Sequence, residues 1–296
     1  MKYVLINPLS CNGEGMNNAQ AYISTQPDAI KINITEISDY SEFFSKLSDE
    51  DEIVICGGDG TLNRFVNETC DIEYNNNIYF YPCGTGNDFY ADVKEEDQEA
   101  PILINKYIKN LPVVDIDGKT YSFINNVGFG IDGYCCEVGD KLHAEGKPVN
   151  YTAVAIKGLL FHYRPTNAKV TVDGKEYDFK KVWLAPTMNG RLYGGGMMPT
   201  PDQKRLGEDK NISVMLFHDT SALKTLMIFP SLFKGEHIKY EKNVTVLTGK
   251  SISVEFSAPR SAQVDGETIL GVKKYSARVD KIKTDNNAEQ YQAAEI

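Results

Sequence analysis

Short apolar runs alternate with amphipathic stretches through the first third of the chain. Tyr3, Val4, Leu5 and Ile6 read as a buried strand that stops at Asn7–Pro8–Leu9–Ser10 and a glycine-bearing loop. Residues 30–34 form a second apolar run. Asp39 with Glu42 three residues on has a capping-box arrangement, and Tyr40, Phe43, Phe44 and Leu47 follow at i, i+3, i+4 and i+7. That spacing predicts an amphipathic helix. A third apolar run, 52–56, ends in Gly57–Gly58–Asp59–Gly60–Thr61 and a helical segment reaching Asn67. A fourth, 78–81, is closed by Pro82 and runs into Gly84–Thr85–Gly86–Asn87–Asp88; residues 101–110 are expected to be helical. This alternation predicts an open, largely parallel α/β sheet, whose ligands bind beyond the carboxyl ends of its strands. Three loops, 7–15, 57–61 and 84–88, leave such ends and are directed at one pocket.

The pattern changes near residues 115–125. Asp117–Gly118 sits between two short runs as a two-residue hairpin signal, and Asp173–Gly174 repeats it. Further strands are expected at 182–185, 212–217, 244–247, 251–256 and 267–270, with helical interruptions at 151–162 and 221–229. The prediction is an α/β domain over 1–122 and a mostly antiparallel β-sandwich over 123–276. The first domain has no clear closing element, so part of 277–296 is expected to return to it. Gly128–Phe129–Gly130–Ile131–Asp132–Gly133 matches a dinucleotide fingerprint in form, but no βαβ unit surrounds it.

Composition narrows the function. A chain of 296 residues, 42% apolar and 24% charged, is ordinary globular protein with room for two cores. A net charge of −10 argues against nucleic acid and against non-specific adhesion to anionic membranes, so any membrane contact must be local. No apolar run approaches the roughly 20 residues of a spanning helix; the best, 225–233, is interrupted by Pro230. No basic segment precedes an apolar run at the start, so a signal peptide is not expected and the reading is cytoplasmic. The six cysteines lack metal-ligand spacing and read as reduced thiols; the four histidines build no zinc motif.

Candidate chemistry concentrates at 57–63. Successive glycines after a buried strand allow a sharp turn and close approach of the backbone to another molecule. A helix opening at once points its unpaired N–H groups at the same spot, which suits phosphate. Asp59 in that position would repel a bare phosphate, so the turn suggests metal-bound polyphosphate. An ordinary strand-to-helix turn with an aspartate cap is the alternative.

Asn7–Pro8–x–Ser10, the Gly57–Thr61 turn with Leu62–Asn63 and Val66–Asn67, and Pro82–x–Gly–Thr–Gly–Asn–Asp–Phe89 occur in one order. Together they resemble the diacylglycerol kinase catalytic family, which holds bacterial lipid kinases and sphingosine and ceramide kinases. The resemblance implies an N-terminal Rossmann-like three-layer α/β nucleotide domain and a C-terminal β-sandwich, with the site between them. It implies ATP and magnesium as cofactors. Asn7, Ser10 and Thr35 would lie near ATP; Gly57, Gly58, Asp59, Gly60, Thr61, Leu62 and Asn63 would cradle its phosphates; Thr85, Gly86 and Asn87 would contact it from the next loop. Asp265, with Glu267 nearby, falls where the family places its general base. Asp59 and Asp115 fall where acidic residues organise magnesium, and Asp209 with the carbonyls of Leu206 and Asn211 falls where some members hold a structural magnesium. The chain departs from the family pattern at Cys11, Glu14, Arg64 and Ser213.

The expectation is a lipid kinase transferring the γ-phosphate of ATP to a lipid hydroxyl, diacylglycerol first, working peripherally at a membrane. Two alternatives stay open: an NAD kinase-like phosphotransferase on a soluble acceptor, and a catalytically silent nucleotide- or lipid-binding protein. A homodimer also stays open. The segment 147–181 carries Lys147, Lys157, Arg164, Lys169, Lys175, Lys180 and Lys181, with an apolar helix inside it, and is a candidate membrane contact.

Overall fold

Every residue from Val4 to Ile6 and from Ile53 to Cys56 is buried, because these runs are adjacent inner strands of one sheet. The computed structural model describes residues 1–10, 13–84 and 86–279. The first sheet contains β1 (Lys2–Ile6), β2 (Ile30–Asn33), β3 (Glu52–Gly57), β4 (Asn77–Pro82) and β5 (Ile102–Leu103), in the order β2-β1-β3-β4-β5. The first four are parallel and β5 is antiparallel to β4. Around them lie α1 (Gly15–Ser24), α2 (Tyr40–Ser45), α3 (Asp59–Glu68), α4 (Asp88–Val93) and α5 (Asn105–Ile108).

Alternating side chains of the strands fill two cores. Val4, Ile6, Val54 and Cys56 pack on Ala19, Tyr22 and Ile23 of α1. Leu5, Ile53 and Ile55 pack on the other face with Phe44, Phe65 and Phe89 of α2, α3 and α4. Period-two alternation of buried residues on both faces makes the three layers. The Asp39 carboxylate accepts the Glu42 N–H at 3.1 Å, capping α2 as its sequence predicts. Residues 101–110 differ from expectation: Ile102 and Leu103 pair with Phe80 and Tyr79, and the helix is confined to α5.

The second sheet is antiparallel throughout. Its strands are β6 (Val113–Ile116), β7 (Lys119–Ser122), β8 (Asn126–Phe129), β9 (Thr166–Val172), β10 (Lys175–Val182), β11 (Thr187–Met188), β12 (Ile212–Phe217), β13 (Val244–Gly249), β14 (Ser251–Val264) and β15 (Glu267–Arg278). The path is β13-β12-β11-β8-β14-β15-β6-β7, with β9 joining β14 to β10. Residues 252–256 of β14 pair with β9 and residues 262–264 with β8. The register break between them lets one strand serve two layers, so the sheet closes over a core containing Phe129, Val170, Val214, Val254, Phe256 and Tyr275.

The hairpin β6–β7, read from sequence with the first domain, is hydrogen-bonded to β15 in the second sheet. Ala277 and Arg278, expected to return to the α/β sheet, pair instead with Val114 and Val113. The remainder of that predicted closing segment, 280–296, lies outside the described residues.

Two further helices, α6 (Ile131–Ala144) and α7 (Tyr151–Lys157), lead into a π-helical turn, Gly158–His162, and α8 (Ala222–Ile228) follows β12. They cover the outer face through Ile131, Leu159, Trp183, Met215, Phe217 and Ile228. Sequence reading misses α6 because Gly133 and Gly139 depress its helical pattern. Both glycines serve close packing: a Cβ at 133 would stand 2.0 Å from the Ser261 carbonyl oxygen, and one at 139 2.8 Å from the Tyr151 ring. Among the described residues no helix is long and apolar enough to cross a membrane.

Candidate active site

Loops from the carboxyl ends of β1, β3 and β4 meet, as their positions in the sequence predict. Asn7 Nδ2 donates to Thr61 Oγ1 at 2.8 Å, and Ser10 Oγ donates to the Asn7 carbonyl at 2.9 Å. A Cβ on Gly84 would lie 2.3 Å from the Gly58 Cα, so the two turns touch backbone to backbone. Gly58 has φ −103°, and neither Gly57 nor Gly60 has positive φ; close approach, not left-handed backbone, is what requires glycine at 58. A Cβ on Gly60 meets nothing within 4 Å. The N–H groups of Gly60 and Thr61, in the first turn of α3, have no intrahelical acceptor.

Several residues assigned to the cradle are otherwise engaged. Leu62 is fully buried in the core and its N–H is bonded to the Gly58 carbonyl at 3.1 Å. Asn87 exchanges two hydrogen bonds with the backbone of Gly84, closing its own loop, while the Gly86 carbonyl accepts from Asp59 N. Thr35 lies past the end of β2, with its hydroxyl bonded to Asn33 Oδ1 at 2.8 Å. Thr85 lies outside the described residues.

Asp59 caps the next helix rather than its own. Its two carboxylate oxygens accept the Asp88 and Phe89 N–H groups at 2.8 and 3.0 Å, at the start of α4. Asp88 passes the pattern on: its oxygens accept Gly195 and Gly196 N–H at 2.8 and 2.7 Å. Gly194, Gly195 and Gly196 all have positive φ (61°, 83° and 97°), which turns these N–H groups toward one carboxylate. Burial, reinforced by the charge of Asp88 and more weakly of Asp265, pushes the Asp59 carboxyl up to about 7. Burial raises Asp88 as well.

Asp265 is the most heavily solvated carboxylate of the site, and its solvent is protein. Asn63 Nδ2 donates to Oδ2 at 2.7 Å and Ile124 N to Oδ2 at 2.5 Å, while Asn125 and Asn126 N–H reach Oδ1 at 2.8 and 2.9 Å. Burial raises its pKa despite these four donors. Asp265 and Gly266 have φ of 47° and 98°, the same turn as Asp117–Gly118 and Asp173–Gly174. What separates them is the setting of the side chain. Glu267 is exposed at the start of β15, and its charge acts on Arg64, which is bonded to Glu68 at 2.7 Å.

A buried ion pair holds the Asp265 cradle from behind. Arg205 Nε and Arg191 Nε bind the Asp92 carboxylate at 2.6 and 2.7 Å. Arg205 also donates to the Ile124 carbonyl and, at 2.6 Å, to Asn125 Oδ1. Asp92 stands on α4, the helix capped by Asp59. Hydrogen bonds therefore run in a ring from Asp59 through α4, Asp92, Arg205, residues 124–126, Asp265 and Asn63 back to α3.

Other expected ligands stand outside this ring. Asp115 pairs with Ser276 of β15, about 30 Å along the strand from the Asp265 turn. Its carboxylate is engaged by Arg278 and, at 2.6 Å, by Thr120. Asp209 lies exposed, and the Asn211 carbonyl accepts Gln203 Nε2 at 2.7 Å. Ser213 donates to Gln203 Oε1 at 2.6 Å and bonds to Thr248 at 2.8 Å. Leu206, Asp209 and Asn211 line one surface cavity with Ser213, where the exposed Asp209 carboxylate faces a neutral hydrogen-bond network. Among the described residues no group of three or more His, Cys, Asp or Glu side chains could share a metal ion. Asp59 and Asp88 are different: two neighbouring carboxylates, both raised by burial and Asp59 further by the charge of Asp88, fit a divalent cation that keeps most of its waters.

Three buried polar atoms have no hydrogen-bond partner: Nδ2 of Asn126, whose N–H binds Asp265, Asp132 Oδ2, and Tyr193 Oη, on which the Asp132 charge acts. Asn126 and Gly128 share one face of β8. A Cβ on Gly128 would fall 1.8 Å from Asp132 Oδ2, so that carboxylate occupies the space over Gly128. Burial pushes Asp132 up to about 6. Sequence reasoning missed Asp92, Arg205, Asn126, Asp132 and Tyr193; the one available signal was Asp132 inside the discounted glycine motif.

Residues 2–116 match the diacylglycerol kinase catalytic domain, and residues 125–284 match the YegS C-terminal NAD kinase beta sandwich-like domain. A diacylglycerol kinase of Mycobacterium tuberculosis (strain CDC 1551 / Oshkosh) is 24% identical over 264 residues, covering 85% of this chain and 84% of its own. One of Bacillus subtilis (strain 168) is 25% identical over 228 residues, covering 75% and 72%. The crystal structure of a diacylglycerol kinase from Bacillus anthracis str. Sterne superposes with a TM-score of 0.62 at 21% identity, covering 94% of both chains, which establishes the common fold. With both halves of the chain matched in order, this protein belongs to the diacylglycerol kinase catalytic family.

Proposed function

We propose that this protein is an ATP- and magnesium-dependent lipid kinase, with diacylglycerol as the first acceptor to test and phosphatidic acid as its product. The observation that carries the reading is the Asn63–Asp265 hydrogen bond, which ties a candidate base to the helix whose N-terminus suits phosphate. Asp265 takes the proton of the acceptor hydroxyl. The oxygen then bonds to the γ-phosphorus as the bond to the β–γ bridging oxygen breaks, and ADP leaves. Burial strengthens Asp265 as a base. Asn7, Ser10 and Gly86 frame the nucleotide, and the Gly60 and Thr61 N–H groups receive its phosphates. Magnesium held through Asp59 and Asp88 would neutralise charge on the transferring group. Asn126, Asp132 and Tyr193, each with an unpaired polar atom, receive the polar headgroup of the acceptor.

The test is transfer of labelled phosphate from ATP with magnesium to diacylglycerol, monoacylglycerol, sphingosine, ceramide and phosphatidylglycerol, and in parallel to NAD. Transfer to one or more lipids supports the reading. Transfer to NAD alone selects the soluble-acceptor alternative, which the resemblance of residues 125–284 to the NAD kinase sandwich keeps in view. No transfer with intact nucleotide binding selects the silent one.

A further inference from the structure

The helical layer over the second sheet leaves large apolar side chains in solvent. Phe161, on the π-helical turn, is 68% exposed, and Leu223 and Met227 of α8 are 63% and 69% exposed. Leu223 and Met227 are four residues apart and share one face of α8, and α8 packs against the turn that carries Phe161. Exposed Ile156 and Phe233 flank them in sequence. The inward residues Ala155, Leu159, Ile228 and Leu232 already fill the core beneath. The outer set is therefore not needed to complete it.

Charge sorts in the same place. The chain carries 41 acidic residues, yet no Asp or Glu occurs from Lys147 to Val172 or from Thr220 to Gly235. Those two stretches hold Lys147, Lys157, Arg164, Lys169, Lys224 and Lys234. Asp219 and Glu236 lie only at the margins of the second. Lys147 and Lys169 pair with Glu145 and Glu176, so the weight falls on Lys157, Arg164, Lys224 and Lys234; exposed apolar residues and cations carried on the same two acid-free segments, on a protein of net charge −10, complement an anionic bilayer.

We infer that this face docks on an anionic membrane, with Phe161, Leu223 and Met227 entering the headgroup boundary and Lys157, Lys224 and Lys234 meeting lipid phosphates. The inference rests on the lipid-acceptor reading and gives it a route. The α7 segment lies across α6: a Cβ on Gly158 would meet the Tyr134 ring at 2.7 Å. Elsewhere α6 packs on β14 and β15, where Ser261 bonds to Glu137. Helix α6 therefore stands between the docking segment and the two strands whose turn carries Asp265.

The test is co-sedimentation with phosphatidylcholine vesicles, with and without phosphatidylglycerol, in the absence of nucleotide. Wild type is expected to bind the anionic vesicles and to lose binding as salt rises. Phe161→Asp with Met227→Asp should weaken binding about tenfold or more. Lys157→Glu with Lys224→Glu should weaken it roughly fivefold per lysine at low salt and flatten the salt dependence. Thermal melting and phosphate transfer to a short-chain acceptor dispersed in detergent should match wild type. Failure of wild type to bind, or wild-type binding by both variants, overturns the inference. So does a change of molecular mass in light scattering with vesicle binding intact, which makes the patch a contact between copies or with another protein. Absent phosphate transfer to any lipid, with vesicle binding as expected, overturns the kinase reading and leaves the docking face standing.

Discussion

Asn63 and Asp265, on α3 and on the β14–β15 turn, are joined by a 2.7 Å hydrogen bond across the two sheets. Of the four donors to Asp265, the other three are backbone N–H groups fixed in the run 124–126. Asn63 is the side-chain donor, so its amide is the one that can rotate away when the carboxylate takes a proton. Asp265→Asn should lower turnover ~10²-fold or more with ATP affinity nearly unchanged. Asn63→Ala should lower turnover about tenfold and shift the acidic limb of the pH–rate profile. Wild-type turnover in Asp265→Asn would return that residue to the standing of Asp117.

Gly58 and Gly60 separate packing from ligand contact. A Cβ at 58 meets Gly84 Cα at 3.0 Å and the Gly86 carbonyl at 3.1 Å, so Gly58→Ala should lower the melting temperature as well as ATP binding. At 60 the space is open, so Gly60→Ala should fold like wild type. Calorimetric ATP titration of that well-folded variant should still show weakened binding, because the methyl group enters the nucleotide's space. Equal ATP affinity in wild type and Gly60→Ala would move the phosphates elsewhere.

Arg205 and Asp92 have side chains only 6% and 2% exposed. Arg205→Met leaves a buried carboxylate without that partner and should cost about 3–5 kcal/mol in denaturant unfolding. Adding Asp92→Leu should recover part of this loss. Turnover should stay low in the double variant, because the Arg205 grip on the Ile124 carbonyl and Asn125 Oδ1 is gone and the Asn189 amide, at 2.9 Å from that carbonyl, does not replace its hold on the Asn125 side chain. Recovery of full turnover along with stability would confine the pair to folding.

Asp132 carries a pH signature. Its folded pKa of about 6 lies above the ordinary carboxylate value of 3.8, so the unfolded chain binds fewer protons between those values. Its contribution to stability is complete below about pH 4 and fades as pH rises to about 6. Asp132→Asn removes that dependence. The melting temperature of the variant relative to wild type should rise between pH 4 and 7, by a few degrees for each ~1 kcal/mol. The acceptor KM should rise in the same variant while the ATP KM holds, if Asp132 receives the headgroup.

Much of the fold could be read along the chain because it is local. Apolar runs of four to six residues, the Asp39 cap and the Asp–Gly turns each follow from neighbours in sequence, and the four parallel strands of the first sheet and the hairpins of the second stand where these signals lie. Motifs at 57–63 and 82–89 were legible because close backbone approach leaves a glycine signature, and 7–10 through its Asn–Pro–x–Ser pattern. Helix α6 was not legible, since Gly133 and Gly139 answer to β14 and Tyr151, partners that sequence order does not reveal. Nor was the allegiance of β6–β7, which β15 decides across more than a hundred residues. The site divides in the same way. Residue identity marked Asp59 and Asp265, but only tertiary packing decided that Asp59 caps α4, that Asp115 is held away by Arg278, and that Arg205 stands behind Asp265. A carboxylate's role depends on which donors and charges surround it in space, and those come from segments the sequence keeps far apart.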